Sequence, residues 1–141
     1  MWQWLCGKCP TMGARRFQDL IAWQLARELR KFVTGVVRDT NLVREAGLCD
    51  QLRRAARSVT SNIAEGFPCP SHSEFARFLD IAARSVREIE DRLIEAVDSE
   101  LLTKDQAASG FNLAKRTSVA IARLAKYLRE KPWRAGHRTQ G

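Results

Sequence analysis

Apolar residues recur along this chain at alternating spacings of three and four in four separate stretches, and that spacing stacks them on one face of a helix. The first stretch runs from Arg16 to about Arg38 on Ala22, Leu25, Leu29, Phe32 and Val36, with Leu20, Trp23, Ala26 and Val33 widening the face. The second, from about Arg44 to Gly66, carries Leu48, Leu52, Ala55, Ala56, Val59 and Ile63. The third, from about His72 to Ser99, has Phe75, Phe78, Leu79, Ala82, Val86, Ile89, Leu93 and Val97 in heptad-like order. The fourth has the cleanest period, Ala107, Phe111, Ala114, Ser118, Ile121, Ala125 and Leu128, before Pro132 closes it.

The breaks between stretches agree with this division. Asp39-Thr40-Asn41 separates the first two, and Gly47 leaves room for a slightly later start of the second. Gly66 with Pro68 and Pro70 ends the second helix, since glycine tolerates a left-handed cap and proline lacks the donor that continuation needs. Ser71 with Glu74, and Thr103 with Gln106, are spaced as capping boxes for the third and fourth helices. Gly110 inside the fourth helix costs about 1 kcal/mol relative to alanine on propensity alone. The pattern predicts an all-α chain of four amphipathic helices over residues 16–131. Residues 1–15 carry no period and read as a flexible extension or an upstream start ahead of Met12. Residues 132–141 read as a disordered basic tail.

The hairpin between the second and third helices carries a specific motif. Ser61-Asn62-Ile63-Ala64-Glu65-Gly66-Phe67 is preceded by Gln51-Leu52-Arg53-Arg54-Ala55-Ala56 and followed by Glu74-Phe75-Ala76-Arg77-Phe78-Leu79. With Phe17-Gln18-Asp19-Leu20 and Trp23 near the start, this resembles the small four-helix-bundle proteins encoded within intervening sequences of bacterial large-subunit ribosomal RNA genes. The accessory variability proteins of diversity-generating retroelements look like relatives. The resemblance spans roughly Arg16 to Lys131 and implies an up-down-up-down four-helix bundle, assembly into a cyclic homopentameric ring, and basic surfaces that contact nucleic acid. It implies no enzymatic activity and no cofactor. After Gly66-Phe67 the relatives often have a basic, serine-containing turn, where this chain has Pro68-Cys69-Pro70-Ser71-His72, and we read the prolines as stiffening the loop.

Composition narrows the function classes. One domain suits 141 residues. The formal net charge of +8, from 24 basic against 16 acidic residues, makes RNA, DNA or another anionic surface a natural partner. No run of 18 apolar residues exists to span a membrane, and Met1-Trp2-Gln3-Trp4-Leu5-Cys6 is too short and too lightly charged for a secretory signal, so a cytoplasmic setting with reduced cysteines is expected. Cys6 and Cys9 have the spacing of half a zinc knuckle, but Cys49 and Cys69 stand twenty apart in the helical region, so no metal is expected. Cys49 reads as a small hydrophobe near a helix start.

The basic excess is uneven. Residues 15–38 carry six basic and two acidic side chains, residues 104–131 seven basic and two acidic, and residues 71–100 eight acidic and four basic. In an up-down-up-down bundle the first and fourth helices are neighbours. Arg27, Arg30 and Lys31 with Lys115, Arg116, Arg123, Lys126 and Arg129 are therefore the expected nucleic-acid-binding residues, one positive surface opposed to an acidic third helix. Such a surface binds phosphates without reading bases, and no aromatic pair, zinc finger or recognition helix supplies base readout. Two other uses of the same charge stay open: a solvated face, or a face that meets the acidic third helix of a neighbouring subunit in a ring.

Trp23, Asn62 and Glu65 are the expected interface residues. Trp23 either contacts a second copy or fills the core, and Asn62 and Glu65, beside the apolar stripe, are placed to satisfy polar partners across a helix interface. Glu65 lacks a second acid, a metal-ligand partner or a nearby histidine, which disfavours catalysis, as do the absence of a Gly-rich phosphate loop and of a nucleophile elbow. The expected function is a non-enzymatic nucleic-acid-binding accessory or scaffold. The alternative is a protein-interaction module that docks a partner such as a reverse transcriptase or another nucleic-acid enzyme.

Overall fold

Four helices account for nearly all of residues 14–130, the part of the chain that the computed structural model describes. They are α1 (Ile21–Asp39), α2 (Ala46–Gly66), α3 (His72–Asp98) and α4 (Lys104–Glu130), with short 3-10 turns at Phe17–Asp19 and Asn41–Arg44. Residues 1–13 and 131–141, including Cys6, Cys9 and the expected tail, lie outside the described residues. Each helix packs on the next in the chain, and α4 packs on α1, which closes the antiparallel bundle. The interior is one cluster fed by all four helices, with Leu29, Leu52, Leu79, Ile89, Leu93, Ile121 and Leu128 at its centre.

The helix ends show where local chemistry overrides the apolar period. The first helix begins at Ile21 rather than near Arg16, because the Asp19 carboxylate takes the backbone N–H groups of Arg15 and Arg16, both at 3.1 Å, and tightens the chain into a 3-10 turn. Leu20 then runs extended, buried in the core, and hands over to α1. The second helix begins at Ala46. Before it, Thr40 Oγ1 accepts from the Leu42 N–H at 3.2 Å and sets a separate turn that drives Leu42 into the core. Cys49 is buried at this end, its thiol donating to the Leu42 carbonyl at 3.0 Å, and burial pushes its pKa up.

Gly66 does not use a left-handed cap. It is the last residue of α2 and Phe67 continues in right-handed helical geometry, so Gly66 serves close packing instead: a Cβ there would lie 2.6 Å and 2.8 Å from side-chain atoms of Phe75 and Phe78 on α3. Phe67 then meets Phe75 edge to face at 6.2 Å. The left-handed cap occurs after α3, at Glu100 with φ 59°. There the Leu101 N–H bonds the Ala96 carbonyl and the Glu100 N–H bonds that of Val97, a Schellman closure built on a non-glycine residue.

The Ser71 hydroxyl caps α3 by accepting from the Glu74 N–H at 3.2 Å. Thr103 and Gln106 form the full reciprocal box at α4, at 3.0 and 2.9 Å. Gly110 is a contact as well as a propensity cost, for a Cβ there would overlap the ring of Phe32 on α1. The close approach turns α4 so that Gly110, Thr117 and Leu124 are buried, while Phe111 and Ser118 are only half-buried.

Candidate nucleic-acid interface

Two contacts establish which side of α1 faces which neighbour. Phe32 lies on Gly110 of α4, and Arg30 Nη1 donates to Thr60 Oγ1 of α2 at 3.0 Å. Helical spacing puts Trp23, Arg27, Arg30 and Thr34 in one row, on the α2 side, and Glu28 in the row of Phe32, toward α4. The same reasoning on α2 puts Arg53 and Arg57 in the row of Thr60, facing α1. Thr60 itself is buried and donates to the Arg57 carbonyl at 3.1 Å.

The expected basic residues therefore share neighbouring helices but do not share one seam. Arg30 turns toward α2. Arg27 is exposed and its guanidinium lies 5.9 Å from the centre of the Trp23 ring, a cation–π distance. Lys31 pairs with Glu28 at 3.2 Å. On α4, Arg129 reaches the other way to Asp80 of α3, and Lys126 pairs with Glu130 at 3.8 Å. Lys115, Arg116 and Arg123 are exposed and form no ion pair among the described residues. Between the α1 and α4 sets the seam is closed by Phe32 and Gly110, with Glu28 at its margin.

The basic residues singled out from the sequence lie on α1 and α4, and Arg53 and Arg57 of α2 are not among them. Arg57 has no carboxylate partner among the described residues, and Arg53 has a loose one, Asp50 at 3.6 Å. The row 53-57-60 was visible in the sequence. The identity of the helix it faces was not.

Trp23 packs against the core and meets Phe17 edge to face at 5.3 Å, leaving part of its ring exposed. Asn62 belongs to a polar bridge across α2 and α3: its Nδ2 donates to the Ser58 carbonyl at 2.8 Å and to Ser58 Oγ at 3.0 Å, and Ser85 Oγ donates to Ser58 Oγ at 2.7 Å. Glu65 is exposed and its carboxylate meets no partner among the described residues.

Cys49 lies near the start of α2 and Cys69 just beyond its end, separated by roughly 25 Å of helix at about 1.5 Å per residue, too far to share a site. Among the described residues no group of three or more His, Cys, Asp and Glu side chains is arranged to hold a metal ion. No described helix is long and apolar enough to cross a membrane.

No curated protein matches the chain. Among solved structures, the fold is similar to a protein of unknown function from the S23 ribosomal protein family of Bacteroides thetaiotaomicron, with a TM-score of 0.63 and 22% identity over 74% of this chain and 94% of that one. That likeness is one of fold. The profile of the 23S rRNA-intervening sequence proteins matches residues 18–123, which takes in α1, α2, α3 and most of α4 with the Ser61–Phe67 hairpin motif at its centre, and the chain belongs to that family.

Proposed function

We propose that this bundle is a non-enzymatic nucleic-acid-binding accessory or scaffold protein that works as a homo-oligomer, five-membered if it follows the resemblance in its sequence. The observation that carries the reading is that most exposed cations have no carboxylate partner among the described residues, Arg27, Arg57, Lys115, Arg116 and Arg123 among them, on a chain of net charge +8. Ion pairs within the chain neutralise only some of its basic residues, and the remainder favour an anionic partner. A polyanion suits them because each neutralised phosphate releases counterions, a gain that does not depend on base sequence.

The test is light scattering coupled to size exclusion on nuclease-treated protein at low and high salt, followed by RNA and DNA binding across a salt series on the same peak. An oligomer that survives high salt and binds with a steep negative slope of log affinity against log salt is the expected result. A monomer, or an oligomer without affinity for either nucleic acid at low salt, overturns the proposal. A protein partner retained after nuclease treatment by a bundle that binds no nucleic acid would replace it with the docking-module reading.

A further inference from the structure

A second set of cations lies on α1 and α2 rather than on α1 and α4. Arg27 and Arg30 form a row on α1, Arg53 and Arg57 a row on α2, and both rows border the seam that Arg30 crosses to reach Thr60. Among the described residues, the one carboxylate paired to either row is Asp50, held loosely at 3.6 Å from Arg53. The Arg30 guanidinium is half-buried and fixed by a neutral hydroxyl, so its charge is oriented without being cancelled. Arg27 is steadied on the Trp23 ring in the same way, by a partner that takes no charge from it. Holding flexible arginines in place before a ligand arrives reduces the entropy given up on binding, and guanidinium forks match phosphate oxygens bidentately.

We propose that the α1–α2 cleft, bounded by Arg27, Arg30, Arg53 and Arg57, is where the sugar–phosphate backbone of a polynucleotide sits, rather than the outer face of α4. The inference deepens the nucleic-acid-binding reading and rests on it. Contrast with the α4 side supports the choice. Arg129 and Lys126 there are engaged by Asp80 and Glu130, and Arg116 and Arg123 stand on the outer face with no hydroxyl or ring among the described residues to orient them. The cleft has no built device for reading bases, so the polynucleotide is held by its backbone, whatever its sequence.

The experiment uses the full chain, freed of nucleic acid by nuclease and high salt, and a fluorescein-labelled mixed-sequence RNA duplex followed by anisotropy over a salt series. Three neutralised pairs are compared with the unaltered protein: Arg53→Gln/Arg57→Gln in the cleft, Arg116→Gln/Arg123→Gln on α4, and Arg84→Gln/Arg87→Gln on the acidic α3. The cleft pair is expected to weaken binding and flatten the log–log slope by about 1.8, at about 0.9 for each phosphate no longer neutralised, and the α3 pair to leave the slope unchanged. Arg53→Lys/Arg57→Lys keeps the charge and should keep most of the slope, which separates removal of the charge from misfolding of the variant. A cleft pair that keeps the full slope while the α4 pair flattens it overturns the inference and leaves nucleic-acid binding standing. A cleft pair that shifts the oligomer on size exclusion but not the slope also overturns it, assigning the cleft to an interface between copies. If the unaltered protein fails to bind at all, the parent reading falls and the inference with it.

Discussion

At the scale of single residues, the most informative positions are those whose role is set by a residue far away in sequence. Glu100 holds the left-handed position of the α3 closure, a region where a side chain costs roughly 1–2 kcal/mol and glycine costs nothing. Its side chain is exposed and makes no ion pair among the described residues, so nothing is lost by removing it. Glu100→Gly should therefore stabilise the bundle by about 0.5 kcal/mol, the strain relieved less the extra freedom glycine gives the unfolded chain, seen as a higher urea midpoint at constant m. A lower midpoint would show that the closure depends on the glutamate. Gly110 makes the opposite case. Propensity alone says Gly110→Ala gains about 1 kcal/mol, but the added Cβ overlaps Phe32, and overpacking of this kind costs about 1–3 kcal/mol. The substitution should be net destabilising in the native background and become stabilising once Phe32→Leu has made room. If it stabilises in both backgrounds, the close approach of α1 and α4 is wrong.

At the scale of elements, the periodicity located all four helices and most of their buried faces, since a bundle buries one stripe per helix and the stripe is what the spacing reports. It failed at the ends. The apolar pattern passes unbroken through residues 16–20, and nothing in it says that Asp19 will capture two backbone N–H groups and turn the chain before α1. Hydrogen bonds from the Arg16 and Arg15 backbone, with the Arg16 charge beside them, hold the Asp19 carboxyl below its ordinary value. A lowered carboxylate pKa means that the turn gains from the charge above the ordinary aspartate range and loses that gain as pH falls through the lowered value. Followed by NMR, the Arg16 amide should shift with an inflection below the usual aspartate range, and Asp19→Asn should abolish the inflection. An inflection at or above the ordinary value would show that the carboxylate does not hold the turn in solution. The polar residues of α2 were legible in part. Asn62 does take part in a bridge across a helix interface, but through Ser58 to Ser85, and the sequence had no means of naming a serine on the facing helix. Glu65, grouped with Asn62 on sequence grounds, faces solvent in the single chain.

At the scale of the whole molecule, charge counted by segment shows which helices are basic, and the bundle topology shows that α1 and α4 touch. Neither shows on which flank of a helix a given arginine lies, because that depends on which way round the bundle is wound. The winding is written in pairs such as Arg30 with Thr60 and Phe32 with Gly110. This distinction between net charge and placed charge can be tested away from the cleft. Asp80→Asn raises the formal net charge from +8 by one and releases Arg129 on the flank between α3 and α4. Both partners of that ion pair are about half exposed, so the stability cost should stay within about 1 kcal/mol. If net charge governed binding, the freed arginine would neutralise a further phosphate and steepen the salt slope by about 0.9. With the backbone held in the α1–α2 cleft, on the opposite side of the bundle, affinity should rise slightly at low salt through the long-range field, and the slope should not change. A slope steeper by a full phosphate would mean that the polynucleotide passes over Arg129, and that the cations of α4 carry it.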